Sequence, residues 1–330
     1  MFAALPVVAL ALALLAPVLA PASPAAAAAG ASWSVGPADN TLGQSRPNFD
    51  YALEAGAVLE DAFLVRNNGA TDLTLTIYAA DAFTTREGNI DLLAAGEESV
   101  DAGTWVDLGV NTVTLTPGEE STIPFTVTVP ADARPGDHSA GIVASLTSND
   151  PAAQVQVDRR LGSRMYIRLA GDLVPAVEAT DLSVAFTGSW NPLAIGSLDV
   201  SYRLENLGNT RVTALSALDA AGPLGAASIA SGDVQLPEVL PGSDIVVSHQ
   251  LTGVGALLWL SGAVDIRPSS VGLGAAQLEA IELPFSIPAV PITVLLVLLV
   301  LALVIVAVVL VIRRRRGATS ATAPAAVPGS

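Results

Sequence analysis

Between its two ends the chain alternates. In STIPFTVTVP, residues 121–130, Ile123, Phe125, Val127 and Val129 share one face while Thr122, Thr126 and Thr128 share the other. A period of two is the mark of a half-buried strand. Pro124 alone interrupts the polar side; with no amide to give to a ladder, it predicts an edge or the beginning of a strand. LTLTIYAADAF, residues 73–83, puts Leu73, Leu75, Ile77 and Ala79 on one side, and LEDAFLVRNNG, residues 59–69, alternates less strictly and ends on an Asn-Gly turn. No long segment has helical period, and turn clusters recur every dozen or so residues. The pattern predicts an all-β region built from antiparallel β-sandwiches.

An internal echo predicts two of them. FLVRNNGAT (Phe63–Thr71) and YRLENLGNT (Tyr202–Thr210) share an aromatic residue, then Asn67 and Asn206, Gly69 and Gly208, Thr71 and Thr210 at matching offsets. Downstream, LTPGEESTIPFTV (Leu115–Val127) is echoed by VLPGSDIVVSHQL (Val239–Leu251). In each copy a strand ends at an Asn/Gly turn and a Pro-Gly turn launches a later one, because proline presets φ and glycine accepts a positive φ. The boundary is expected within Gly171–Asp181, giving a first domain at 31–171 and a second at 175–287.

Both ends depart from alternation. Residues 1–29 combine an apolar run from Phe2 to Ala20 with proline and small residues after it, and predict a secretory signal, though no basic residue precedes the run. A retained N-terminal anchor is the competing reading. Ile292–Ile312 is 21 residues without a charge or a glycine, roughly 31 Å as a helix, which matches the hydrocarbon core of a bilayer. Arg313–Arg316 follow at once, and such residues stay on the cytoplasmic side. The expected topology is a single-pass plasma-membrane protein: N-terminus outside, a transmembrane helix at 292–312 contacting the lipid bilayer, and a cytoplasmic tail at 313–330. No sortase motif is visible, so the chain is expected to remain in the membrane.

Composition narrows the chemistry. Arginine supplies all 15 basic residues, four of them in the terminal block, against 31 acidic ones, all of which lie between the terminal segments. The resulting negative surface keeps the protein soluble and repels phosphate backbones, so no nucleic-acid partner is expected. The absence of cysteine excludes disulfides, thiol nucleophiles and cysteine metal sites. The absence of lysine excludes Walker-A loops and Schiff-base chemistry. Acidic clusters such as GEESVDAG, residues 96–103, offer oxygen ligands but match no calcium loop and read as solvated.

His138, in VPADARPGDHSAGIVASL (residues 129–146), is one of two histidines, and His249 belongs to the other half. With no G-x-S-x-G, H-E-x-x-H or EF-hand pattern in the chain, His138 reads as a hydrogen-bonding residue at the start of a strand. That strand places His138, Ala140, Ile142, Ala144 and Leu146 on one face, and its small residues on both faces suit burial between two layers. The expectation is a binding protein without catalytic residues, metal or cofactor.

SWSVGPADN, GAVLEDAFLVRNNGATDLTLTIYAADAFTTREG, LTPGEESTIPFTVTVPADARPGDHSAGIVAS and RRLGSRMYIRLAG follow one another over about residues 32–171. In that order they resemble the peptidoglycan-binding domain of the WxL-interacting proteins of Gram-positive cell surfaces. PGDHSAGIVAS and RRLGSRMYIRLAG carry the most specific part of the resemblance. It implies an Ig-like sandwich that contacts peptidoglycan, a second Ig-like domain for another cell-surface protein, and a C-terminal transmembrane helix. The alanine-rich, lysine-free composition points to a high-GC actinobacterium. A glycan site wants aromatic faces beside hydrogen-bonding groups, which makes Trp33, Tyr78, Arg86 and Trp105 candidates, although core aromatics and a solvated arginine are the commoner roles. Arg160, Arg164 and Arg168 share strand parity with Tyr166, predicting a locally positive sheet face for stem-peptide carboxylates or for neutralising nearby acids.

Overall fold

The computed structural model describes residues 31–147, 158–188, 195–272 and 275–319, with the side chains of 315–319 not described. The expected signal segment at 1–29 and the tail beyond 319 lie outside the described residues.

The first half contains β1 (Trp33–Pro37), β2 (Phe49–Leu53), β3 (Val58–Asn67), β4 (Leu73–Thr84), β5 (Ile90–Leu92), β6 (Val106–Leu108), β7 (Thr112–Leu115), β8 (Glu120–Thr128), β9 (Gly136–Thr147) and β10 (Asp158–Leu169). They form two sheets, ordered β1-β3-β8-β6 and β2-β10-β9-β4-β5, with β7 also on β4. The alternating residues of both sheets meet in one core, where Phe49 packs edge-on against Phe125 at 5.2 Å beside Phe63, Ile123, Met165 and Ile167. Each such side chain, fully withdrawn from water, contributes about 1.5–3 kcal/mol. Pro124 lies beyond the three residues where β6 pairs β8, so its missing amide faces an open edge.

One pairing departs from the antiparallel expectation: β2 runs parallel to β10, Phe49 opposite Met165 and Leu53 opposite Leu169. The chain leaves β1, crosses the rim of the sandwich and continues in the same direction, closing the edge of the second sheet where β10 also runs that way. A buried ion pair holds the crossing. Arg46 donates two hydrogen bonds to Asp61, at 2.7 and 2.9 Å, and Tyr51 Oη adds a third at 2.5 Å.

The second half contains β11 (Val177–Thr187), β12 (Gly196–Asn206), β13 (Val212–Ala221), β14 (Ile229–Ala230), β15 (Val234–Gln235), β16 (Asp244–Val254), β17 (Leu258–Ser270) and β18 (Ile281–Ala289). One sheet runs β11-β12-β16 and the other β14-β13-β17-β18, with β15 also on β13. They enclose a separate core that includes Leu198, Val200, Tyr202, Leu218, Val264 and Ile266. Strands therefore occupy 33–169 and 177–289, with β11 beginning inside the segment Gly171–Asp181 and β18 running two residues past 287. The helix α1 (Ile292–Thr319) is long and apolar enough to cross a membrane, and its apolar window is not buried against the sandwiches. It outruns the expected 292–312 because arginine is a good helix former.

The repeated asparagine is a buried corner in both halves. Asn67 donates to the carbonyls of Thr71 and Leu115 at 2.8 and 3.0 Å and accepts from Gly69 N at 2.9 Å. Asn206 donates to Thr210 and Val239 at 2.8 and 2.9 Å and accepts from Gly208 N at 3.0 Å. A side-chain amide is required because each corner needs two donors and one acceptor. Replacement of Asn206 by Asp sets a carboxylate against two carbonyl oxygens, and is expected to lower stability by about 3 kcal/mol in chemical denaturation. Asn67→Asp is expected to do the same to the first core.

Candidate functional site

The sheet β2-β10-β9-β4 has an outer face, and the structure brings five of the eight predicted residues onto it. Tyr78 lies opposite Val143 of β9, which lies opposite Gly162 of β10; Arg164, Tyr166 and Arg168 follow along β10, facing Gly141, Ser139 and Asp137. Arg160, facing Ser145, completes the row. The face is partly covered: Tyr166 is buried, Tyr78 and Arg160 are half-buried, and Arg164 stays exposed. The segment carrying β5 folds over it, and Leu92 inserts where a Cβ on Gly141 or Gly162 would stand 2.5 or 2.7 Å from its Cδ1. Ala80, Leu92 and Val143 form a small second core there, which accounts for the small residues on β9. Arg160 and Arg164 donate to the carbonyls of Leu92 and Ile90, both at 3.3 Å, and Tyr78 Oη reaches Leu93 O at 3.5 Å.

Tyr166 and Arg168 are occupied by the second sandwich. Arg168 grips Asp137 in a two-pronged pair, Nε and Nη2 each at 2.7 Å, and its Nη2 also donates to Val271 O at 2.6 Å. Asp137 Oδ2 accepts from the Arg211 amide at 2.7 Å, and the Arg211 guanidinium lies over the Tyr166 ring at 4.1 Å and pairs with Glu238 at 3.1 Å. Asn209 closes the joint: its side-chain amide donates to Pro135 O and Asp172 O, both at 2.9 Å, and its backbone carbonyl accepts from Asp137 N at 2.7 Å. Gly136 is obligatory here, with φ +128 and a virtual Cβ only 2.3 Å from Asn209 O.

The remaining predicted residues are separate. Trp33 and Trp105 are buried in the first core, at 6% and 8% exposure; the Arg159 guanidinium covers the Trp33 ring at 5.2 Å. Arg86 is exposed, and its carbonyl accepts from Val246 N across the joint at 2.8 Å. No flat aromatic face among Trp33, Trp105 and Tyr166 is open to a sugar.

What the joint leaves open is a cleft of about 590 Å³, lined by Asp101, Arg134, Pro135, Asp137 and His138 from the first sandwich and by Asn206–Asn209, Pro241 and Gly242 from the second. His138 Nδ1 lies 2.7 and 2.8 Å from the two Asp101 oxygens, Nε2 lies 2.8 Å from Arg134 O, and the ring packs on Trp105 at 4.7 Å. Burial opposes a charge there, but the Asp101 carboxylate and the Arg134 carbonyl outweigh it and raise the pKa of His138 above 6.5. Both ring nitrogens face acceptors, so the imidazolium is the form that satisfies them.

His249 has the opposite setting. It stacks on Tyr202, and Ser216 Oγ, which accepts from Tyr202 Oη at 2.8 Å, lies 2.9 Å from its Nε2. Burial lowers its pKa. The fully buried Ser216 makes this a core polar contact.

Sequence reasoning singled out Tyr166 and Arg168 as ligand candidates and His138 as a hydrogen-bonding residue at a strand start, and gave no part in the joint or cleft to Asp101, Arg134, Asp137, Asn209 or Arg211. Asp137 stood beside His138 in PGDHS, and Asn209 and Arg211 stood within and just after the echoed turn. Pairings over such separations leave no local period.

Arg168→Met leaves the Asp137 carboxylate buried with fewer donors, and is expected to cost about 3 kcal/mol. Gly136→Ala wedges the joint open while leaving both cores intact. Both variants should speed proteolysis at the exposed Leu173–Val174 connection by roughly tenfold or more, the factor that 1.4 kcal/mol of loosening gives. The two histidines predict opposite slopes of stability with pH. His138, raised on folding, contributes fully below about 6.5 and loses its contribution as pH rises through its folded pKa. His249, lowered on folding, contributes fully above about 6.5 and loses its contribution as pH falls through its own folded value. In His138→Gln the fall of Tm with rising pH above about 6.5 should flatten.

No family model matches the chain and no curated relative does. Solved structures similar to it include a chaperone–tip adhesin complex of CFA/I fimbriae biogenesis (9% identity, 78% of this chain and 100% of that one, TM-score 0.36). The class 5 fimbriae chaperone CfaA is another (11%, 79% and 100%, TM-score 0.32), as is the Salmonella enterica SafA pilin with the SafB chaperone (12%, 77% and 96%, TM-score 0.31). With these TM-scores below 0.5, the likeness says nothing of ligand or activity.

Proposed function

We propose that the chain is a membrane-anchored cell-surface binding protein that holds a ligand without transforming it. The observation that carries this reading is the joint: two sandwiches are fastened by buried hydrogen bonds around Asp137, and the cleft they leave is open to solvent and edged by Arg134 and His138. The helix at 292–319, with Arg313–Arg316 at its far end, anchors the pair with the sandwiches outside and the tail in the cytoplasm. In this reading the first sandwich contacts peptidoglycan. The exposed Arg134, beside the His138 imidazolium in an otherwise acidic protein, supplies the cationic edge that a stem-peptide carboxylate needs.

A second reading, a scaffold for another surface protein without glycan affinity, is favoured by one specific observation. The arginine–tyrosine face of β10, the natural platform for a sugar, is largely occupied: Arg160 and Arg164 donate to carbonyls of the β5 segment and Tyr166 is buried under Arg211. One experiment separates the two. Residues 31–289 mixed with isolated sacculi should co-sediment at low and moderate salt, and Arg134→Ala should reduce the bound fraction several-fold. Retention of the unmodified protein in the supernatant overturns the wall reading, and cross-linking to a surface protein in intact cells then supports the scaffold.

A further inference from the structure

The second sandwich has two unlike ends. The end fastened to the first sandwich carries Glu178, Glu205, Arg211, Glu238 and Asp244, while the opposite end, from which α1 departs, is poor in charge: among the described residues Asp199 and Asp219 stand only at its inner margin. Three segments converge there by strand register: Ala220–Gly232, Gln250–Val264 and Leu283–Ile312. None contains Asp, Glu, Lys, Arg or His, in a chain with 31 acidic residues.

The exposed side chains at this end include several large apolar ones. Leu224 is fully exposed at the tip of the turn after β13, Leu258 is 58% and Trp259 48% exposed at the start of β17, and Val290 is 43% exposed in the link to the helix. Leu257 packs over Gly222, joining the turn to β17. Leu258 pairs with Ala289 and Trp259 with Pro288, so these residues sit beside the mouth of the helix, and only Val290 and Pro291 intervene before Ile292. Trp259 donates its indole N–H to Ser286 Oγ, which orients the ring with its apolar body outward.

The backbone is bent to keep leucine there. Leu224 has φ 57 and Leu258 φ 73, with Ala227 at φ 49, so three of the five non-glycine residues with positive φ among the described residues lie at this end. A leucine in that region is strained, and in water its exposure brings nothing in return.

We propose that this end of the second sandwich docks on the outer leaflet of the bilayer, with the Leu224 turn, Leu258 and Trp259 seated in the interfacial layer of a lipid surface. The proposal rests on the reading of α1 as a membrane anchor. Continuity with the helix brings the patch to the headgroups, tryptophan prefers that depth, and an uncharged apolar face is the kind that enters it. An acidic protein is repelled by anionic lipid, so contact here is hydrophobic and insensitive to salt. Docking converts a tether into a post: the sandwiches stand on the membrane in a fixed orientation.

The chain has no cysteine, so one introduced thiol reports alone. Full-length Leu224→Cys carrying an environment-sensitive fluorophore is placed in phosphatidylcholine vesicles containing a headgroup-depth spin-label quencher. The reference is the same probe on Ala70→Cys, at the far tip of the first sandwich. The expected result is blue-shifted emission and quenching several-fold stronger at Leu224 than at Ala70, unchanged in about 1 M salt. Ala226→Cys, in the same turn, serves if Leu224→Cys folds poorly. Alkaline extraction of the same vesicles separates the failures. A chain that resists extraction while the turn probes remain as wet as Ala70 overturns docking and leaves the anchor standing. A chain that is extracted overturns both.

Discussion

A carboxylate withdrawn from water must be answered on every lone pair, and Asp137 is answered by groups from both halves of the chain. Arg168 supplies two donors from the neighbouring strand and Arg211 a third from the second sandwich, while the Asp137 amide is taken by Asn209. A buried ion held in this way adds little net stability but makes any other arrangement expensive. It therefore acts on geometry: the angle between the sandwiches is the one that keeps Asp137 satisfied. The cleft and the covering of Tyr166 both follow from that angle.

The same requirement reassigns the basic strand. A row of arginines with a tyrosine on one face of β10 has the composition of a ligand platform, and the parity that predicts a shared face is correct. Arg160 and Arg164 nevertheless donate to the protein's own backbone, and Arg168 to Asp137 and to a carbonyl of the second sandwich. Where a sheet face is to be covered by other elements, its polar residues must be complementary to backbone carbonyls, and arginine meets that need as well as it meets a ligand.

Local chemistry made much of the fold legible. Alternation in 121–130 and 73–83 places β8 and β4, and Pro124 marks the free stretch of β8. The Asn-Gly and Pro-Gly echo corresponds to two corners with matching hydrogen bonds, because a corner's chemistry lies within a few residues plus one returning strand. The parallel pairing of β2 with β10 was not legible: it joins residues more than a hundred positions apart and has no period of its own. The joint was hidden for the same reason, since Asp137 and Arg211 look like ordinary surface charges until the chain brings them together. The apolar end of the second sandwich was visible in composition as charge-free stretches, but their convergence required the register of β13, β17 and β18.

The repeated corner also shows how one turn can be fitted for coupling in one sandwich and not in the other. At the buried joint the turn after Asn206 presents Asn209 and Arg211, the side chain and amide that clasp the neighbour. The corresponding turn after Asn67 presents Ala70 and Asp72 at those positions. Alanine offers no side-chain amide, and an aspartate there would face any second Asp137-like carboxylate with like charge. The outer tip thus has the form of the coupling without its teeth: the same buried asparagine corner serves as a clasp in one sandwich and as a bare turn in the other.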